Sequence, residues 1–261
     1  MTIGLDIFCM GLPIATLNAN IGSMQQHTPL RIASYNIRAG LGTDLRRDPL
    51  RVLDAVNALD ADVVALQEAD FRMGARPSAL PRNLIETHTD LRPLPVADND
   101  TSLGWHGIAL LARPNITAEQ VHRYPLPGLE PRGAIAVDLP NLRVVGVHLG
   151  LLRRSRRSQL DHIREELDAL PPRPTIILGD FNEWSQRVGL GRLARRYTIL
   201  TPGRTFPSSL PMGALDRIAH CKRLNVRMLD IPRKVTGRHA SDHLPILAEV
   251  QISDRKRTVV A

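Results

Sequence analysis

The chain has 261 residues, of which 43% are hydrophobic and 23% are charged, so it can bury a sizeable core and is not expected to be disordered. No run reaches the ~18 consecutive apolar residues of a membrane-spanning helix, which excludes a protein built on such helices. The 34 basic and 26 acidic residues give a net charge of +8, which favours polyanionic partners such as nucleic acid, phospholipid headgroups or phosphorylated metabolites.

Residues 1–29 differ from the rest of the chain. An apolar run over 3–17 precedes a polar stretch over 18–28, but the basic leading segment of a secretory signal is missing. We therefore expect an N-terminal arm and a cytoplasmic protein, with secretion as the alternative. Residues 30–252 are expected to form a single domain, and residues 253–261 a basic tail.

Strand and helix patterns alternate from residue 30 onward. Residues 31–37 alternate as a strand, and Asp48 with Pro49 supplies the N-cap and the first turn of a helix. A second helix is predicted from Ser155 to the prolines at 171–172. The apolar faces are Leu50, Leu53, Val56 and Leu59 in the first helix, and Leu160, Ile163, Leu167 and Leu170 in the second.

Short apolar runs bounded by Pro, Gly or Asn indicate buried strands. They cover 62–67, 107–112, 133–139, 142–149, 175–178, 214–220, 224–229 and 244–252. This order of elements predicts an α/β fold in which sheets pack on each other and helices flank them.

Polar residues recur where the apolar runs give way to turns, and α/β folds place their ligands at the carboxyl ends of strands. These residues are Asn36, Gln67-Glu68, His148, the segment 179–182 with Asp180 and Asn182, Asp216, and Ser241-Asp242-His243. Each has an ordinary alternative, because Asp180 and Asn182 suit a turn and His148 suits a core strand. Taken together, however, they indicate a site.

In order and spacing, these segments resemble the endonuclease/exonuclease/phosphatase superfamily of Mg²⁺-dependent phosphoesterases. The matching segments are 34–37, 66–68, 107–111, 147–149, 178–182, 215–218 and 241–245. The resemblance implies a four-layered α/β sandwich like that of deoxyribonuclease I, with two mixed β-sheets flanked by helices and the site at one rim.

The resemblance also implies a metal site and a set of catalytic residues. Glu68 would be the principal ligand of Mg²⁺, with Asn36 beside it and Asp242 nearby, and Mn²⁺ could substitute. One or two direct carboxylates are typical of Mg²⁺. The number of ions stays open.

Five residues would carry the hydrolysis. His243 would hold the phosphate or help to activate the water, with its other nitrogen fixed by Asp216. Asp180 would align or deprotonate the water, and Asn182 would donate to a phosphoryl oxygen. His148 would protonate the leaving oxygen or steady the phosphate. Which group takes the proton from water stays open.

His148 also separates branches of the superfamily. The deoxyribonuclease I and sphingomyelinase branches have a histidine at this point, whereas exonuclease III-like repair enzymes carry a tyrosine-containing segment, so an abasic-site repair enzyme is disfavoured. Segments 130–134 and 205–208 resemble small bacterial members of unassigned substrate.

Basic residues beside this histidine are candidates for phosphate binding. Arg132 is expected to reach a substrate phosphate. Arg153, Arg154, Arg156 and Arg157 are expected near the rim where phosphate enters, and Arg153 and Arg154 are the candidates chosen to bind it. The alternative for all of them is a solvated arginine. Four aromatic residues could either line the pocket or pack in the core, and the sequence leaves both possibilities open. They are Tyr35, Trp105, Phe181 and Trp184.

The favoured function is a phosphodiesterase acting on DNA or RNA, working as a monomer on a phosphoester substrate. The alternative is a phospholipid-headgroup or inositol-phosphate hydrolase, which the lack of an evident exposed apolar hairpin counts against. A catalytically inactive binding module is disfavoured, because all of the segments are intact.

Overall fold

The computed structural model describes residues 28–185, 188–231 and 240–253. The N-terminal arm up to residue 27 and the basic tail from residue 254 lie outside these residues. Within them, no helix combines the length and apolar character needed to cross a membrane.

In the described part of the chain, twelve strands form two mixed sheets of six strands each, and the two mixed sheets implied by the family resemblance are confirmed. The first sheet has the spatial order β11 (Leu224–Leu229), β12 (Ile246–Ile252), β1 (Leu30–Asn36), β2 (Val63–Gln67), β4 (Ala109–Ala112), β3 (Arg92–Pro93). The second has the order β5 (Gln120–Leu126), β6 (Arg132–Asp138), β7 (Arg143–His148), β8 (Thr175–Asp180), β10 (Asp216–His220), β9 (Thr198–Leu200). Strands β1 and β2 are parallel, as are β7 and β8, and the remaining neighbours in both sheets are antiparallel.

Helices cover the outer faces of the two sheets. They are α1 (Pro49–Ala58), α2 (Arg82–His88), α3 (Arg153–Ala169) and α4 (Gly191–Ala194), with a short 3-10 turn over Arg38–Gly40. Asp48 caps α1 by accepting a hydrogen bond from the Arg51 amide. The prediction that Leu50 belongs to the buried face of α1 is wrong, because that face is centred on Val52 and Val56 and leaves Leu50 exposed.

Three buried clusters separate four layers. The central cluster joins the facing sides of the two sheets, through residues such as Ile32 and Val63 on one and Ile135 and Ile176 on the other. A second cluster packs α1 and α2 on the first sheet, and a third packs α3 on the second. The four-layered sandwich predicted from the resemblance is therefore confirmed.

Strand alternation determines which side chains reach the space between the sheets. Ile32 faces the central cluster, so Ser34 and Asn36 point the same way along β1. By the same rule, His148 follows Val144 on β7, and Asp180 follows Ile176 and Leu178 on β8. Each row of apolar side chains thus ends in a polar residue. The end of the sheets at which β1, β2, β7 and β8 finish is here called the carboxyl edge.

Two of the candidate segments, one at Asp216 and one at 241–243, reach this edge from the opposite chain direction. Asp216 is the first residue of β10, which is antiparallel to β8 and pairs Asp216 with Asp180. The segment holding His243 precedes β12, which is antiparallel to β1. The expectation that all candidates sit at the carboxyl ends of strands is therefore wrong for these residues, although they lie at the same edge.

Candidate active site

A buried pair of polar side chains joins the two sheets at the carboxyl edge. The side-chain amide of Asn36 donates through Nδ2 to Asp180 Oδ2 over 3.1 Å. Asn36 Oδ1 accepts from the Arg38 amide, and the Asn36 carbonyl accepts from the Ser241 hydroxyl. Residues from both ends of the chain therefore meet at one place.

A buried histidine and aspartate form the predicted contact beside this pair. His243 Nδ1 lies 2.9 Å from Asp216 Oδ2, and His243 Nε2 lies 3.7 Å from Asp180 Oδ2. The Thr205 hydroxyl also donates to Asp216 Oδ2, and the Phe206 ring packs 4.9 Å from the His243 ring. In the sequence, Thr205 and Phe206 stand out only as part of a family-like segment, which predicts neither contact.

The charges around His243 set the protonation of the group. Burial lowers the pKa of His243, but the nearby carboxylates of Asp216, Asp180 and Asp242, of which Asp216 contributes most, together outweigh burial and raise this pKa to about 9. Burial, followed by the nearby Asp216 carboxylate, raises the pKa of Asp180 to about 7. At neutral pH, His243 is therefore protonated and positively charged. Asp180 is close to its own pKa, so its carboxylate is partly protonated at the same pH.

His148 lies between Asp180 and Arg132. Its Nε2 is 3.5 Å from Asp180 Oδ2, and the Arg132 guanidinium is within 2.9 Å of the imidazole nitrogens. Arg132 also donates through Nε and Nη2 to the carboxylate of Glu130. Burial, followed by the Arg132 charge, lowers the pKa of His148 well below its ordinary value of 6.5, so the imidazole is neutral.

Asn182 is fixed by local backbone geometry. Its φ of 50° lies in the left-handed region, which asparagine tolerates better than most residues. Its amide side chain donates to the Leu149 carbonyl, and its backbone amide donates to Asp180 Oδ1. These two hydrogen bonds therefore fix Asn182 next to Asp180.

The three predicted metal ligands adjoin one another through the backbone. Asn36 pairs in register with Gln67, which precedes Glu68, and the hydroxyl of Ser241, which precedes Asp242, bonds the Asn36 carbonyl. Arg72 approaches Glu68 to 3.2 Å, and Arg38 approaches Asp242 to 3.3 Å.

The chemistry of this donor set fits a hard divalent cation, since it offers an amide oxygen and two carboxylates. Within the described ranges, no cluster of three or more His, Cys, Asp and Glu side chains has the arrangement of a metal centre. A Mg²⁺ ion at this position would therefore rely on the mixed amide and carboxylate set and keep several waters.

A cavity of about 270 Å³ opens beside Glu68 and His148. Its wall includes the segment 70–73, Arg76, His106, Glu130 and Arg132. Arg132 is thus both buried and placed on the wall of a cavity that could hold part of a substrate.

The arginines of α3 divide into two kinds. Arg153 and Arg154 are exposed, and Arg153 lies 3.6 Å from Glu183. Arg156 is only 5% exposed and bonds Glu183 and the carbonyls of Gly150 and Leu151. The expectation that Arg156 meets incoming phosphate is wrong, because a buried carboxylate from another segment already holds it.

The aromatic candidates divide in the same way. Tyr35 and Phe181 are fully buried in the layers outside the sheets, and Trp105 packs against the central cluster. Trp184 is exposed, with its ring 6.0 Å from the Phe206 ring. Of the four, Trp184 is the one that solvent reaches on the histidine side of the site.

Comparison with known proteins identifies the family of the chain. The model of the Endonuclease/Exonuclease/phosphatase family matches residues 33–243. The uncharacterized protein YbhP of Escherichia coli K12 is 30% identical over 254 aligned residues, which cover 87% of this chain and 98% of YbhP.

Two solved structures share the fold at low identity. D. rerio TDP2 complexed with a single-stranded DNA product gives a TM-score of 0.65 at 17% identity, covering 86% of this chain and 100% of the other. A mannosyl-6-phosphatase from Bacteroides thetaiotaomicron gives 0.64 at 17%, covering 85% and 99%. The family match, the motifs and the fold agree, and the chain belongs to the endonuclease/exonuclease/phosphatase family, whose members are hydrolases that act on phosphoesters.

Proposed function

We propose that this chain is a Mg²⁺-dependent hydrolase of phosphodiester bonds. The observation that carries the proposal is the buried group at the carboxyl edge, in which His243 lies between Asp216 and Asp180. Hydrolysis needs a base or orienting group for water and a donor for the phosphoryl oxygens, and Asp180 and His243 supply one of each.

The two groups are assigned opposite proton roles. A protonated His243 donates a hydrogen bond to a phosphoryl oxygen, and Asp216 holds the imidazolium in position. Asp180 orients the attacking water and accepts its proton, because its raised pKa makes it a stronger base than an ordinary aspartate. As the new bond to phosphorus forms, the bond to the leaving oxygen breaks, and this oxygen takes up a proton from solvent. Asn182 donates to a second phosphoryl oxygen.

His148 has a different role. As a neutral imidazole that accepts from Arg132, it is a poor proton donor to a leaving oxygen. This favours the second of its predicted roles, which is to steady the phosphate together with Arg132. Asn36, Glu68 and Asp242 would hold Mg²⁺, which neutralises charge on the phosphoryl group when bound.

The substrate class has two candidates. The net charge of +8 favours DNA or RNA, and one structural neighbour is TDP2 with a single-stranded DNA product. Exposed apolar side chains close to the site, such as Leu129 next to Glu130 and Trp184 next to Phe206, favour a phosphodiester at a phospholipid surface instead.

One panel tests both the activity and the substrate class. Purified protein is incubated with plasmid DNA, single-stranded DNA, RNA, phospholipid vesicles, inositol phosphates and a sugar phosphate, each with Mg²⁺, Mn²⁺ or a chelator. We expect hydrolysis of a phosphodiester that the chelator abolishes. Failure with every substrate and both metals would contradict the proposal.

A further inference from the structure

The exposed apolar side chains are concentrated at one end of the molecule. Among the described residues, ten large hydrophobic side chains are exposed. They are Leu45, Leu50, Met73, Leu129, Leu151, Leu152, Trp184, Val188, Leu210 and Met212. All ten lie in the segments that follow β1, β2, β7 and β8 or precede β6 and β10, so they surround the carboxyl edge at which the active site opens.

Contacts between these segments bring two groups of the side chains to the two sides of the site. On the Arg132 side, Leu129 is 87% exposed in the turn of the β5–β6 hairpin, and the Leu151 amide approaches Glu130 to 3.4 Å. Met73, 83% exposed, lines the same cavity as Glu130. Leu129 therefore places one exposed apolar side chain at the tip of this hairpin, on the Arg132 side of the site.

The second group lies on the His243 side. Trp184 is 57% exposed and packs edge-on against Phe206, the ring that covers His243. The Met212 amide donates to the Phe206 carbonyl, and Leu210 lies between these two residues in the same loop. The two groups therefore flank the site, one beside Arg132 and the other beside His243.

Arginines stand among these apolar residues. Arg153 and Arg154 follow Leu151 and Leu152 directly and are exposed, and Arg72 precedes Met73 with its side chain 67% exposed. Aliphatic side chains mixed with basic ones are typical of surfaces that enter the boundary of a bilayer, where the apolar groups reach the acyl chains and the cations meet anionic headgroups. Proteins that bind single-stranded nucleic acid typically stack the bases on aromatic side chains, of which Trp184 is the sole exposed example in the described residues.

We propose that this apolar edge surface, defined by Leu129, Leu151, Leu152, Trp184, Leu210 and Met212, docks on an anionic phospholipid bilayer. Docking there would present a phosphodiester of the lipid surface to His243 and Asp180. The inference rests on the proposed function for the chemistry of the site, and it adds the surface on which the substrate is held.

Vesicle binding of the full chain tests the inference. The probes are vesicles of phosphatidylcholine alone and of phosphatidylcholine with phosphatidylglycerol, and association is measured by co-sedimentation. We expect association that is stronger with phosphatidylglycerol and a blue shift of tryptophan emission that Trp184→Phe removes. Leu129→Ser, Leu151→Ser and Leu210→Ser should each weaken association by about tenfold, whereas the matched Leu129→Met should retain it. Arg154→Gln should weaken binding to the anionic vesicles by about fivefold.

Two further readouts separate the docking surface from the chemistry. His243→Ala should bind vesicles like the wild type while losing hydrolysis, and the three serine variants should cleave a soluble phosphodiester at the wild-type rate. The inference is overturned if the wild type does not bind either kind of vesicle, or if the serine variants bind as well as the wild type. It is also overturned if the same serine substitutions weaken binding of a single-stranded oligonucleotide and leave vesicle binding unchanged.

Discussion

His243 Nδ1 lies 2.9 Å from Asp216 Oδ2, and both side chains are buried. This carboxylate is the main reason that the pKa of His243 is raised to about 9 in spite of burial. Asp216→Asn should therefore lower the pKa of His243 and reduce hydrolysis by ~100-fold, the upper end for losing a carboxylate that orients a histidine. Proton NMR titration of the histidines and a rate measurement check the two effects.

A matched control is available on the surface. His88 Nε2 lies 3.7 Å from Asp54 in an exposed pair, so Asp54→Asn should change neither the His243 pKa nor the rate. If His243 in Asp216→Asn still titrated near pH 9, the assigned role of the carboxylate would be wrong.

Stability should depend on pH through the same histidine. Because the pKa of His243 is higher in the folded chain than its ordinary 6.5, its contribution to the free energy of unfolding is fully present below pH 6.5 and is lost as the pH rises through about 9. Urea unfolding of wild type and His243→Gln, both with chelator, should show a stability difference that favours the wild type more below pH 6.5 than above pH 9. The exposed His88→Gln serves as the control, and a difference that grows with pH for His243→Gln would contradict the assignment.

Metal binding should depend on Glu68. A ligand that binds only the folded state at 100 times its dissociation constant adds about 2.7 kcal/mol of stability. Mg²⁺ should therefore raise the melting temperature of the wild type, and Glu68→Gln should lose most of this increase. Glu130→Gln is the matched control, since Glu130 lines the same cavity but bonds Arg132. Equal stabilisation of the wild type and Glu68→Gln by Mg²⁺ would exclude Glu68 as the principal ligand.

The buried ion pair between Arg156 of α3 and Glu183 should stabilise the fold. Arg156 and Glu183 are both nearly inaccessible, and Arg156→Met leaves the carboxylate without this partner. The expected loss is about 3 kcal/mol of unfolding free energy. The exposed neighbour Arg157→Met should change it by no more than about 0.5 kcal/mol. Urea unfolding compares the two, and similar values would show that the pair adds nothing.

The periodic pattern of apolar residues in the sequence was sufficient to predict the strands and helices that line the core. Strands β1, β2, β7 and β8 and helices α1 and α3 are all found where the sequence places them, within a few residues. These elements bury one or both faces, so their periodicity is strong. The polar residues that end them could therefore be assigned to one edge of the sheets.

The missed elements lie where burial does not impose a pattern. Strand β5 is at the edge of the second sheet, buries only Tyr124 and Leu126, and contains Pro125. Helix α2 and the short elements β3, β9 and α4 are too brief for a period to be recognised. Burial of Arg156 could not be predicted from its neighbours, since its partner Glu183 comes from 27 residues along the chain.

The most direct test of the central claim is hydrolysis of bis(p-nitrophenyl) phosphate, a soluble phosphodiester that needs neither nucleic acid nor membrane binding. The wild type, Glu68→Gln and His243→Gln are each assayed with Mg²⁺ and with a chelator. We predict release of p-nitrophenolate by the wild type with Mg²⁺, and loss of this release in the chelator and in both variants. Release that persists in His243→Gln or in the chelator would contradict this prediction.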